Sequence, residues 1–275
     1  MRLNTVLTRD LCIDKGRPVH AVTSLAGEIF LLRDKERDQV EVYDVIAYRL
    51  QRCLTVPNAR ALNDMASCEH CRCVYISDPI GECVHRLDAP GVVTRWTVND
   101  KPNGLSVNTS HNVIVTCCIV RKIKEFSSRG VVLRELTLPD DVSYPRHAIQ
   151  TRSGQFIVCH GHRDDPVHRV CMMSADGHHI VRSNGGQRGS DTRQYNLPFR
   201  LAVDDNEFVF VADVNNRRVT LLSPTLEYVR QVVSRDQLSG SPRNLYLDTE
   251  RRFLYAAVNE QTGGWREGRV AVFGV

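Results

Sequence analysis

The 275-residue sequence predicts an all-β fold, a six-bladed β-propeller with four antiparallel strands in each blade. Three observations support this prediction. A similar unit begins six times along the chain, each full unit contains four short β-rich runs, and the last unit lacks a strand that the N-terminus can supply. Repeats of this length and strand content are typical of propeller blades.

Each repeat opens with a proline or a substitute, two variable residues and a short apolar strand. The openings lie near residues 18, 58, 102, 145, 198 and 242. The unit that begins at Pro198 shows its four runs most clearly, at residues 201–203, 208–212, 218–222 and 228–233. Because turn residues separate these runs, we predict four strands joined by tight turns.

The sixth unit ends one strand short, after residues 253–258 and 269–273. A spare strand of about residues 4–9 precedes the first opening. We therefore expect the N-terminal strand to complete blade six and close the ring, so that residues 1–275 form a single propeller domain. Closure of a ring protects sheet edges that would otherwise pair with other chains.

Composition indicates a folded protein without a membrane span. Hydrophobic residues make up 42% of the chain, and no run approaches the roughly 20 apolar residues of a spanning helix. The N-terminus has no apolar signal-peptide core, so we expect a cytoplasmic protein. The ten cysteines, several of them inside apolar runs, are predicted to be reduced.

The cationic residues favour arginine. Only five of the 36 cationic residues are lysines, and the formal net charge is +4. The planar guanidinium suits carboxylates and phosphates, so acidic proteins and nucleic acid are both predicted classes of partner.

The unit around Pro198 carries the most specific motif. A glycine-rich stretch, residues 185–189, leads through Gln194 and Leu197 into Pro198, and the next strand ends in Val211-Ala212-Asp213 before Asn216 and Arg217. This pattern resembles the NHL-repeat family of six-bladed propellers, with weaker copies near Asp78 and Asn259. The resemblance implies a propeller like those of tripartite-motif ubiquitin ligases. Related propellers also include RNA-binding translational repressors and a zinc-dependent amidating lyase, and one fold with several roles does not fix a function.

The residues next to each opening form the candidate binding site. Equivalent positions in a propeller lie on a ring around the central axis, so these residues are expected near one mouth of the channel. The predicted ring is rich in cations and hydrogen-bond donors that can hold a carboxylate or phosphate, and it consists of His20, Arg60, Arg146, His147, Arg200, Arg243 and Asn244. The alternative interpretation is that these groups pair with loop carbonyls and neighbouring aspartates and seal the mouth.

We expect a monomeric binding or scaffold module that holds a protein partner at this mouth. Single-stranded RNA is the alternative partner, with Tyr144, Tyr195 and Phe199 as candidate stacking residues. A metal-dependent hydrolase or lyase is a third hypothesis. His20 and His147 are the ring histidines, and two histidines out of the lyase's register do not make a catalytic zinc site. The sequence therefore predicts no enzyme, no catalytic residues, no metal and no cofactor.

One cysteine cluster has the spacing of metal ligands. It comprises Cys68, His70, Cys71 and Cys73, and Cys83 or His85 could join it. Structural zinc sites normally pair two such groups, so we interpret the cluster as turn cysteines. The histidine-rich segment 160–168 is interpreted as a solvated turn. Asp78 and Asp213 are predicted to accept backbone N–H groups rather than to act on a ligand.

Overall fold

The computed structural model describes residues 6–11, 17–33, 38–89, 91–262 and 265–275, and in them the predicted fold is confirmed. Blade one is formed by β2 (Val19–Leu25), β3 (Glu28–Arg33), β4 (Gln39–Asp44) and β5 (Leu50–Thr55). Blade two is formed by β6 (Met65–Cys68), β7 (Cys73–Asp78), β8 (Cys83–Asp88) and β9 (Val92–Thr97). Blade three is formed by β10 (Gly104–Val107), β11 (Val113–Cys117), β12 (Lys122–Phe126) and β13 (Val132–Thr137).

The second half of the chain repeats this arrangement. Blade four is formed by β14 (Pro145–Gln150), β15 (Phe156–His160), β16 (Val167–Met173) and β17 (Ile180–Gln187). Blade five is formed by β18 (Pro198–Val203), β19 (Val209–Asp213), β20 (Arg218–Leu222) and β21 (Tyr228–Val233). A short helix, α1 (Arg235–Leu238), follows with a Ser234 capping box and leads into blade six.

Blade six joins the two ends of the chain. Its strands are β22 (Ser241–Asp248), β23 (Phe253–Thr262), β24 (Trp265–Gly274) and the N-terminal β1 (Val6–Leu11). β1 pairs with β24 in antiparallel register, from Val6 opposite Gly274 to Leu11 opposite Val270. The predicted closure of the ring is therefore present, although residues 4 and 5 of the predicted strand lie outside the described residues.

The core lies in layers between neighbouring blades. One apolar cluster joins blades five and six, and further clusters join blades one and six, one and two, two and three, three and four, and four and five. Inner strands such as β7, β15 and β19 are buried along their whole length because a blade covers each face. The outermost strands β5, β9 and β13 are mostly exposed.

Two predicted registers need correction. The innermost strand of blade two begins at Met65, not near residue 58, because residues 56–64 form a loop. In blade one, a β-bulge lies between Val19 and Ala21, which shifts His20 out of the ladder. No helix among the described residues has the length and apolarity needed to cross a membrane.

Candidate binding site at the channel mouth

Three residues of innermost strands, and one residue just before a fourth innermost strand, occupy one level of the central channel. Arg200 lies opposite Ala212, His147 opposite Cys159 and Asn244 opposite Ala257, each just after a bulge. In blade two the corresponding residue is Asp64, whose carbonyl accepts a hydrogen bond from Ser77 N at 2.9 Å. The sequence prediction placed Arg60 at this level, so Asp64 was missed.

Asp64 is the acceptor at the centre of a buried network. Its Oδ1 accepts a hydrogen bond from Asn244 Nδ2 at 2.8 Å, and its Oδ2 accepts one from Leu105 N at 2.8 Å. Arg200 Nε lies 3.3 Å from the same Oδ2, and the two side chains are 2% and 1% exposed. A buried charge without a partner would be costly, so this ion pair stabilises Arg200 inside the channel.

Arg200 and Asn244 also bond to other blades. The Arg200 guanidinium donates to the carbonyls of Phe199, Arg146 and Asn103 at 3.0, 3.4 and 3.2 Å. Asn244 Oδ1 accepts from Val22 N of blade one at 3.2 Å. The side chains of the ring positions thus connect all six blades.

His147 completes the network in blade four. Its Nε2 donates to the Leu105 carbonyl at 2.8 Å, and its Nδ1 accepts from Leu201 N at 3.3 Å. Burial lowers the pKa of His147 to about 4, and the nearby Arg200 cation acts in the same direction. The imidazole is therefore neutral near pH 7, with one ring nitrogen donating and the other accepting.

Gly104 occupies the same level in blade three, where a side chain does not fit. A Cβ at this position would lie 2.6 Å from the Arg146 carbonyl oxygen and 2.9 Å from a carbon of the His147 ring. The glycine lets blade four approach blade three closely. His147, Arg200 and Asn244 are thus buried and paired, as the alternative interpretation of the ring describes.

Three of the predicted arginines lie around one aromatic ring. Arg146 Cζ lies 5.2 Å from the centroid of Phe199, and Arg200 and Arg243 lie 4.6 and 4.3 Å from it. Arg146 also lies 4.2 Å from the centroid of Tyr144. Stacking on the negative face of an aromatic ring holds each guanidinium in place.

Arg146 has no carboxylate partner among the described residues. Its one hydrogen bond there is long, at 3.5 Å to the Gly161 carbonyl. Burial lowers its pKa, yet a guanidinium remains protonated at all physiological pH values. The half-buried cation therefore retains donors for an external acceptor.

The two remaining predicted residues lie off this level of the channel. Arg60 is exposed in the loop before β6, and its backbone N–H donates to Asp78 Oδ2 at 2.7 Å. Its guanidinium makes no ion pair or hydrogen bond within the part of the chain that the structure describes. His20 is half-buried at the bulge in blade one.

Exposed apolar residues lie on the same side of the propeller, which we call the mouth face: the loops before the innermost strands and the turns between second and third strands. Ile80 of blade two is 55% exposed, and Ile119 and Val120 of blade three are 61% and 39% exposed. Ile119 and Tyr144 line a surface depression of about 370 Å³. Apolar and cationic groups therefore adjoin at this face.

The Cys68 cluster does not extend to Cys83 or His85. Cys71 N donates to Cys68 Sγ, and His70 stacks on His111 of blade three. Cys83 and His85 lie at the opposite end of the blade, because Cys73 pairs with Asp88 whereas Cys83 pairs with Asp78. They cannot join the Cys68 cluster.

Two histidines of the 160–168 segment are buried, not solvated. His160 is the buried last residue of β15, and His168 donates to the His162 carbonyl while accepting from Leu197 N.

The six four-stranded sheets define a six-bladed β-propeller. Neither family models nor curated proteins give a match to the sequence. Solved structures match its shape. A streptogramin B lyase is similar with a TM-score of 0.67 and 10% identity, covering 98% of each chain. The β-propeller domain of Cps50 (Swd1) from Myceliophteria thermophila has a TM-score of 0.61 and 11% identity, covering 98% of this chain and 99% of that one. U3-55K has a TM-score of 0.64 and 13% identity, covering 100% and 99%. At these identities the likeness establishes the fold alone.

Proposed function

We propose that this chain is a monomeric, NHL-type binding module of the cytosol that holds an acidic segment of a protein partner at its mouth face. Arg146 is the observation that carries the proposal. It is a half-buried cation, fixed between Tyr144 and Phe199, without a carboxylate partner among the described residues. A prepositioned guanidinium loses little side-chain entropy when it binds a carboxylate, which favours binding at this position.

The surroundings of Arg146 suit a protein segment. Ile119 and Tyr144 offer apolar area in the adjoining depression, and Ile80 lies near the unpaired Arg60 in blade two. Protein interfaces combine apolar anchors with arginine, and an acidic segment with one or two apolar side chains would complement both features.

RNA binding receives less support from the same surface. Base stacking requires exposed aromatic faces, but Phe199 is 7% exposed and Tyr195 is 1% exposed. Tyr195 also donates its hydroxyl to Asn184 Oδ1 at 3.0 Å inside the protein. Of the three aromatics that could stack on bases, only Tyr144 is partly accessible.

The proposal includes no catalysis. The ring-level carboxylate of the channel, Asp64, is already engaged by Arg200, Asn244 and Leu105, so it does not supply a ligand or general base for chemistry there. The cytosolic assignment is supported by the nine cysteines among the described residues, all of which are unpaired.

A pull-down from cell extract, with and without RNase, tests the proposal. We would compare the wild type with Arg60→Glu/Arg146→Met, which removes the unpaired charges and keeps packing at the half-buried position. The matched control is Arg72→Glu/Arg152→Met, with the same charge change on exposed turns at the opposite face. Thermal unfolding of each variant verifies that it folds.

We expect the captured protein to survive RNase, to bind the control normally and to be lost by at least about tenfold with the mouth-face variant, since a pair with a charged group contributes about 1.5–3 kcal/mol. Loss on RNase treatment would indicate RNA as the ligand. Equal capture by both variants would place the binding site elsewhere.

A further inference from the structure

Three buried side chains of blade two converge at the mouth-face end of β7 and β8. His85 Nε2 lies 3.4 Å from Asp78 Oδ2 and 3.4 Å from Cys83 Sγ, and the three ligand atoms all lie within 4.8 Å of one another. Asp78 and His85 are 0% exposed and Cys83 is 4% exposed. The register of the β7–β8 hairpin brings the three side chains together, because Asp78 pairs with Cys83 and His85 follows on the same face of β8.

We propose that Asp78, Cys83 and His85 form a zinc-binding site with an open fourth position. A carboxylate oxygen, a thiolate and an imidazole nitrogen are all ligands that zinc prefers, with bonds of about 2.0–2.3 Å. A tetrahedron with such bonds has edges of roughly 3.3–3.6 Å. The two 3.4 Å separations at His85 Nε2 agree with two of those edges.

The backbone holds Asp78 in position for this role. Asp78 Oδ1 accepts from Ala61 N at 3.0 Å and Gly81 N at 2.8 Å, while Oδ2 accepts from Arg60 N at 2.7 Å. Oδ2 therefore keeps a second lone pair for a metal. A Cβ at Gly81 would lie 2.6 Å from Oδ2, so a glycine is needed for the turn to close over the carboxylate.

A cavity of about 500 Å³ adjoins Cys83, on the side from which a fourth ligand could enter. Cys83 lines it together with Arg60, Glu82 and Arg95. A zinc site with three protein ligands keeps a position for water or an exogenous ligand. The cations Arg60 and Arg95 would favour a small anion, such as a carboxylate or phosphate, at that position.

The arrangement is specific to blade two among the blades that can be compared. At the position of Cys83, blades three, four, five and six carry the cations Lys122, Arg169, Arg218 and Arg269. A cation there would repel a metal ion and fill the space. Cys83 replaces that charge with a metal ligand.

Zinc and cobalt binding to the purified 275-residue chain test the site. After treatment with a chelator and its removal, zinc is titrated in competition with a chromogenic chelator. Co²⁺ is then added to a separate sample, where a tetrahedral thiolate site gives intense visible d–d bands and a near-ultraviolet thiolate-to-metal charge-transfer band. We expect one equivalent of either metal and both spectral signatures.

Cys83→Ser and His85→Gln should each weaken zinc binding by more than the roughly 10–100-fold that loss of an outer-shell partner causes, and Cys83→Ser should abolish the charge-transfer band. The matched control, Cys71→Ser/His111→Gln, alters the other cysteine–histidine group and should leave both unchanged. Binding that survives Cys83→Ser, or that the control removes, would overturn the proposal. If a variant does not fold, a wild-type Co²⁺ spectrum without the thiolate band is sufficient to reject the site.

Discussion

Blades two and five use the same register positions in opposite ways. At the mouth-face end of blade five, Arg218 Nε donates to Asp213 Oδ2 at 2.9 Å, and its other nitrogens donate to the carbonyls of Ser190, Asp191 and Gln194. In blade two Cys83 takes the place of Arg218, and a cavity of about 500 Å³ adjoins it. Arg218 therefore closes the end of blade five, whereas Cys83 leaves a cavity at the end of blade two.

The innermost strands of the same two blades are complementary. Asp64 of blade two and Arg200 of blade five occupy equivalent positions and pair with each other across the channel. The blades repeat the same fold, but their equivalent positions carry different side chains. The ring level is stabilised because its members differ in charge, not because they repeat.

Among the variants considered, Asp64→Ala should cause the largest loss in the free energy of unfolding. It leaves Arg200 buried without a carboxylate and removes the acceptor of Leu105 N and Asn244 Nδ2. We expect a loss of about 3–5 kcal/mol in the free energy of unfolding, measured in urea at pH 7. Asp140→Ala, at a carboxylate that is 94% exposed, is the control and should cost at most about 1 kcal/mol. Similar losses in the two variants would contradict the role given to Asp64.

Arg218→Met should remove the ion pair and the hydrogen bonds that close the end of blade five. The methionine keeps apolar volume but leaves Asp213 buried without its cation, so we expect a loss of about 3 kcal/mol in the same assay. Arg217→Met changes the neighbouring exposed arginine and should lie within about 0.5 kcal/mol of wild type. If Arg218→Met leaves the free energy of unfolding unchanged, the interactions of Arg218 contribute little to stability.

The ring level should also make stability depend on pH through His147. Its pKa is about 4 in the folded protein against 6.5 for an ordinary histidine, so the unfolded chain binds more protons between these values. Stability is therefore complete above about pH 6.5 and falls as the pH falls toward 4. From pH 7 to pH 5 the expected contribution is about 2 kcal/mol.

Thermal or urea unfolding at both pH values measures this contribution. His147→Gln should reduce the loss by that amount, whereas His178→Gln, at an exposed histidine, should not. An unchanged pH dependence in His147→Gln would show that the imidazole is not held neutral by burial.

Cys83→Arg/His85→Thr converts the end of blade two to the residue pattern of blade five. It should cause the smallest change in stability. It gives blade two the Arg218 and Thr220 pattern of blade five, so the new arginine can pair with Asp78. We expect the free energy of unfolding to stay within about 1 kcal/mol and Co²⁺ binding to disappear. Retained cobalt bands would place the metal site elsewhere.

The fold was predictable because proline openings and strand lengths repeat. The register of blade two was not, since Asn58 replaces the opening proline and a loop follows it. Asp64 was therefore missed, although counting back from the end of the second strand at Asp78 would have found it. The Asp78, Cys83 and His85 group was hidden for another reason. Its members meet through the register of the β7–β8 hairpin, which local cysteine spacing does not indicate.

Some of the predicted ring residues are buried in the channel, and others are accessible at the mouth face. Sequence position identified His147, Arg200 and Asn244 as channel residues, but it could not show that they bond to one another and to Asp64. Those bonds depend on the distance across the channel, which no single repeat specifies. Arg146 and Arg60 stay candidate binding residues because their charges lack carboxylate partners among the described residues.

The bonds across the channel also have a kinetic consequence. Asn244 and Asp64 are 180 residues apart in sequence, and β1 pairs with the last strand of the chain. Such contacts form only after most of the backbone is ordered, and folding rates fall as contacts become less local. The ring should thus close late and slowly. Once closed it should resist stepwise fraying, because blades two, three, five and six cannot leave without breaking bonds to blades that are not their neighbours.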